Sequence, residues 1–188
     1  YIYNWNYNDP YDTSIYSLTS KDPDRSRKLN APVSLEVKYK GESLANSGKN
    51  KYLFIRLQNG IMDYKLTREP SYSFNYTQEL IPNVYIKAVC FDGSGMNDAG
   101  ILEYTYDRTE KNLVISAKPD KESYKPGETV RLSLDVKDES GKPRSAEINI
   151  SVVDEAYFSI ANQSVDLLAS IYDSRISSGI LTEYFSYV

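Results

Sequence analysis

Period-two alternation constrains this chain more than anything else in it. Val130, Leu132, Leu134 and Val136 occupy alternate positions, with Arg131, Ser133 and Asp135 between them. Successive side chains on a strand point to opposite faces, so this pattern makes a strand with one apolar and one polar face. The same period recurs at Val33, Leu35, Val37 and Tyr39, at Tyr72, Phe74 and Tyr76, and at Ala146, Ile148, Ile150 and Val152. Further strands are expected over Lys51–Leu57, Ile61–Leu66, Val84–Phe91, Ile101–Tyr106 and Leu113–Ala117. Asn59-Gly60 separates two of these runs, and a type I′ hairpin turn requires φ > 0 at both of its central positions. Asp138 to Pro143 reads as a turn, and the Gly/Asp/Asn stretch from Asp92 to Gly100 as a loop.

Strands every 10 to 15 residues, with no long amphipathic helix before residue 160, argue for an all-β chain of two consecutive antiparallel β-sandwiches. Eighteen tyrosines agree with that class, because aromatic residues suit strands. The expected division is a linker or remnant of a preceding domain over 1–30, a sandwich over 31–112, and a second sandwich over 113–188. Val165 to Tyr172 carries apolar residues at helical spacing, so one short helix is expected near 165–172. Beyond it the Ser/Tyr-rich tail is weakly patterned. The opening Tyr1-Ile-Tyr-Asn-Trp5, without an initiating Met, points to an excised piece.

Composition removes several functions. The net charge of -4 supplies no basic field for nucleic acid or anionic lipid. No apolar run approaches the roughly 18–20 residues needed to span a bilayer. With one cysteine and no histidine the chain makes no internal disulfide, and the usual zinc, Cys–His and Ser–His–Asp sites cannot be assembled. Cys90, in phase with Val84, Ile86 and Ala88, reads as core filler. Asp92 and Asp98 lack the ligand spacing of a calcium loop. Asp154-Glu155 suits the first turn of a helix better than acid–base chemistry. No cofactor or catalytic residue is expected. Sequons at Asn75, Asn149 and Asn162 matter only on a eukaryotic secretory route.

Three segments together are more specific. Leu113-Val-Ile-Ser-Ala-Lys-Pro-Asp-Lys-Glu-Ser-Tyr-Lys-Pro-Gly-Glu-Thr-Val130, Asp138-Glu-Ser-Gly-Lys-Pro143 and Ala146-Glu-Ile-Asn-Ile-Ser-Val-Val-Asp-Glu-Ala156 resemble the macroglobulin-type, Ig- or fibronectin-III-like domain of the α2-macroglobulin family, its bacterial branch especially. Tyr52 to Leu66 and Pro82 to Val89 resemble the macroglobulin domain preceding it. The resemblance implies a fragment of a secreted or cell-envelope broad-spectrum protease inhibitor that scaffolds an exposed bait segment. Cleavage of that segment triggers entrapment of the attacking protease. It further implies target proteases and neighbouring macroglobulin domains as partners. By the same resemblance Tyr172, Arg175, Tyr184 and Phe185 are candidate protease-accessible residues near the bait. The family's Cys-x-Glu-Gln thioester element is not matched at Cys90, which is followed by Phe91-Asp92-Gly93. The second sandwich is expected to be incomplete or irregular, since the chain stops before strands from beyond the bait can complete it. Tandem Ig-like modules of a surface adhesin, and an accessory domain of a carbohydrate-active enzyme, are the competing readings.

Overall fold

The computed structural model describes residues 15–46, 48–125, 127–150, 152 and 166–179. The chain divides into two units, one of residues up to Tyr106 together with those from Arg175 onward, the other of Asp107–Ser174.

The first unit contains β1 (Tyr16–Ser20), β2 (Ser26–Arg27), β3 (Pro32–Tyr39), β4 (Glu42–Ser43), β5 (Lys51–Leu57), β6 (Ile61–Thr67), β7 (Ser71–Asn75), β8 (Asn83–Phe91) and β9 (Met96–Tyr106). In one sheet β1 pairs along one edge of β3, and β4 and β7 share the other. The second sheet runs β2-β9-β8-β5-β6, antiparallel apart from the short β2 to β9 pairing. The alternation in β3 buries Val33, Leu35 and Val37 completely. Phe54, Val84, Ile86, Ala88, Cys90 and Tyr104 of the second sheet are equally inaccessible. Side chains from the two sheets meet: Phe54 stacks on Tyr72 with ring centroids 5.2 Å apart, and the Tyr104 hydroxyl donates to Ser20 Oγ at 2.7 Å. Tyr16 to Ser20, inside the segment 1–30 expected to be linker or remnant, thus forms an edge strand of the first sheet.

Two local features differ from expectation. Asn59 and Gly60 do take positive φ, 51° and 120°, but the connection also includes Gln58, and the register shifts at Arg56/Leu57. The loop expected up to Gly100 is shorter, because β9 already starts at Met96. The ladder is blind to side-chain polarity, and the polar groups there are satisfied locally. Asp98 Oδ2 accepts from Lys87 Nζ at 2.8 Å, Asn97 donates to Asp92, and a bulge at Ala88/Val89 absorbs the extra residue beside Gly100, whose φ is +96°.

In the second unit, β10 (Leu113–Pro119) pairs antiparallel with β11 (Leu132–Asp138). Asp138 makes the following turn: its Oδ1 accepts from the Ser140 hydroxyl and from the Lys142 amide, which hold its carboxyl down at about 2, and from the Ser140 amide. Antiparallel pairing with β11 starts again at Pro143 and Arg144; among the described residues, 144–150, which include most of the strand expected over Ala146–Val152, have no regular structure. The reason is burial. The two-stranded ribbon leaves Leu113, Ile115, Leu132 and Leu134 exposed, so a third strand would gain no covered face to pack on. Helix α1 (Leu167–Tyr172) lies where the spacing placed it. Its N-cap Asp166 accepts from the Ala169 amide at 2.9 Å, and Arg108 grips both Asp166 (3.1 Å) and the C-cap Asp173 (3.0 Å).

The core thiol gives a pH prediction. Burial pushes Cys90 from 9.0 up to about 11, so the fold favours the neutral thiol. Its contribution to stability is full below pH 9 and is lost as pH rises toward 11. Asp92 has the opposite sign: the Ser94 hydroxyl and amide hold it near 2, so its contribution is lost as pH falls from 3.8 toward 2. Cys90 is expected to resist iodoacetamide in the folded protein at pH 8 and to react fully in denaturant. Fast native alkylation would contradict the packing.

Candidate functional site

One fully buried polar side chain organises the end of the first unit. Asn83 opens β8 just after the cis Ile81-Pro82 bond, and its side chain has no solvent access. A buried amide left unpaired costs about 1–3 kcal/mol. Asn83 has partners for both ends. Its Nδ2 donates to Glu103 Oε1 at 3.0 Å and to the Ile176 carbonyl at 2.9 Å, and its Oδ1 accepts from the Ile176 amide at 2.8 Å. The primary amide thus pairs with one peptide residue as a neighbouring strand would.

The same strip of chain is held at two more points. The Ser177 carbonyl accepts from the Asn59 amide at 2.7 Å, and the Ser178 carbonyl from the Gly60 amide at 3.0 Å. Both donors belong to the left-handed residues of the β5 to β6 turn, a conformation that Asn and Gly tolerate. Gln58 supports that turn by donating from Nε2 to the carbonyls of Ile81 (3.2 Å) and Asn83 (2.8 Å). At the near end Arg175 donates to Glu103 Oε2 at 2.9 Å, so one carboxylate bridges Asn83 and Arg175. Burial raises the Tyr85 hydroxyl's pKa and the neighbouring Glu103 carboxylate raises it further, while Arg175 opposes the shift.

At the far end Gly179 packs against the turn backbone. A Cβ there would overlap the Gly60 nitrogen and come within 3.0 Å of Asn59 C and Gly60 Cα, and its φ is +86°. Residues Arg175–Gly179 therefore form a strap whose backbone is engaged by the sandwich. The arrangement engages the strap through its peptide backbone.

A family model described as "Alpha-2-macroglobulin bait region domain" matches residues 18–160. The chain belongs to the α2-macroglobulin family. A protein of Nostoc sp. named "Alpha-2-macroglobulin homolog" is 26% identical over 127 residues, covering 61% of this chain and 7% of that relative. The chain thus spans a small part of that α2-macroglobulin homolog's length.

Of the residues that the family resemblance singled out, Tyr172 ends helix α1 and Arg175 begins the strap, the latter with its side chain 65% exposed. Tyr184 and Phe185 lie outside the described residues, as do Asp154-Glu155 and Asn162. The groups that grip the strap were not singled out by sequence reasoning. Asn83 reads only as punctuation after Pro82, and Gly179 only as a break in a serine run. Asn59-Gly60 gave a turn signal that says nothing of what its amides bind. Among the described residues no cluster of acidic or cysteine side chains is arranged to hold a metal, and no helix is long and apolar enough to cross a membrane.

Substitution at Asn83 tests this geometry. Asn83→Ala strands the Ile176 peptide and one Glu103 oxygen, and should lower stability to urea by about 1–3 kcal/mol. Asn83→Asp should be worse at pH 7, because it sets a second carboxylate against Glu103 in a buried position, and should recover as the pH is lowered. Equal stability of Asn83→Asp and wild type at pH 7 would contradict the hydrogen-bond assignment.

Proposed function

We propose that this chain is a fragment of an α2-macroglobulin-like, broad-spectrum protease inhibitor. In this reading it scaffolds the bait segment, whose cleavage triggers entrapment of the protease, and carries out no catalysis itself. The match of residues 18–160 to a bait region domain is the observation that carries the reading. The strap supports it physically, since a rigid sandwich that fixes one end of a strip can deliver that strip to an attacking protease at a defined place.

The bait-proximal residues remain Tyr172, Arg175, Tyr184 and Phe185, whose side chains suit the primary pockets of common proteases. Target proteases act on the parent protein, outside the cell or within its envelope. Neighbouring macroglobulin domains are the second partner class. The outer face of the five-stranded sheet supports that choice: Leu53, Leu66, Val89, Phe91 and Met96 line an apolar groove, with Leu66 61% and Met96 68% exposed.

Limited proteolysis checks the proposal. Chymotrypsin and elastase at low ratio should each cut first between Tyr172 and Val188, leaving the first sandwich intact by mass spectrometry. In the parent protein that cut should abolish the bound protease's action on large protein substrates while sparing small peptide substrates. First cuts elsewhere, or no protection of large substrates, would refute it.

A further inference from the structure

We infer that Asn59, Gly60, Asn83 and Glu103 form a latch site for an extended peptide segment, and that its occupant, Arg175–Gly179, is thereby withheld from proteolysis. The inference deepens the bait reading, and rests on it for its biological consequence. The chemistry of the site sets what it accepts. Asn83 takes both hydrogen bonds of one peptide residue, so it demands extended backbone and is indifferent to that residue's side chain. Asn59 and Gly60 take the next two carbonyls. Glu103 asks for a cation on the residue before the gripped one, and Arg175 supplies it. The fourth residue after that cation must be glycine, because backbone atoms of Asn59 and Gly60 occupy the place of a Cβ and the φ of +86° excludes most side chains.

A protease reads its substrate as an extended strand, through the same amides and carbonyls. In the docked strap the Ile176 amide, which belongs to the Arg175–Ile176 bond, is already donated to Asn83. The carbonyls of Ile176, Ser177 and Ser178 are also occupied. Exposure of the Arg175 side chain is therefore not enough for cleavage. The strap must first leave the sandwich, and a cut at this bond reports that opening.

Trypsin supplies the test on the full chain. In the wild type Arg175–Ile176 should be cut more slowly than Arg144–Ser145, which lies where the chain has no regular structure. Gly179→Ala should raise the rate at Arg175–Ile176 by about tenfold or more, given the penalty for left-handed backbone with a side chain, and leave Arg144–Ser145 unchanged. Hydrogen exchange on the wild type, which needs no variant, should show the Ile176, Asn59 and Gly60 amides protected together. Equal wild-type rates at the two arginines, an unchanged rate in Gly179→Ala, or an unprotected Ile176 amide would each overturn the latch. Its failure is separable from that of the inhibitor reading: a parent that shields large substrates but has an unprotected strap loses only the latch, and a protected strap in a parent that traps nothing loses only the inhibitor.

Discussion

A buried amide has to be paired, and at Asn83 the pairing comes from a residue 93 positions further along the chain. The consequence reaches beyond one side chain. Glu103 is held by Asn83 and in turn presents its other oxygen to Arg175, while Gln58 ties the Asn59-Gly60 turn to the backbone around the same asparagine. The first sandwich therefore ends in a rigid polar rim rather than a frayed loop. Rigidity matters because every contact with the strap is directional. Hydrogen bonds near 2.8 Å tolerate little displacement of donor or acceptor.

The two units show what covered apolar surface does for β-structure. In the first, two sheets face each other, and the alternation of β3 and β8 is converted into complete burial of Val33, Leu35, Val37, Val84, Ile86 and Ala88. At about 25 cal/mol per Å² this burial is the main favourable term in folding. In the second, β11 alternates just as cleanly, yet Leu132 and Leu134 remain exposed. Hydrogen bonding alone gives that ribbon its register, helped by the Asp138 turn. The irregular backbone at residues 144–150 follows from the same cause. Alternation specifies which face turns inward, and it stabilises a strand only where an inside exists.

This explains what could be read in advance and what could not. The strands around Val33, Phe54 and Ile86 were legible because period-two patterning reports burial directly. So was the Asn59-Gly60 turn, because positive φ restricts the residues that fit. Met96 to Gly100 reads as loop because its polar side chains are satisfied from outside the strand, by Lys87 of β8 and Asp92 of the preceding turn, and so leave no alternation to see. The strap site was illegible for a different reason. Its recognition groups are mostly main-chain amides, which every residue carries. Only Gly179 and Asn83 leave a mark in the sequence, and each is ambiguous until the turn is set against them.

A latch of this kind has to be marginal in order to be useful. Four hydrogen bonds at about 1 kcal/mol each bound what the strap gains by docking. Ordering the backbone of Arg175–Gly179 opposes that gain with an entropic cost of similar size. The Arg175 to Glu103 pair, with its cation largely exposed, adds little. Opening the strap must therefore be far easier than unfolding the sandwich beneath it, where bulky side chains such as Phe54 and Leu35 would have to be bared together. The strip thus has a fixed resting place and a low barrier to leaving it. An anchor that was merely tethered would have no defined position to deliver, and one packed into the core would not let go.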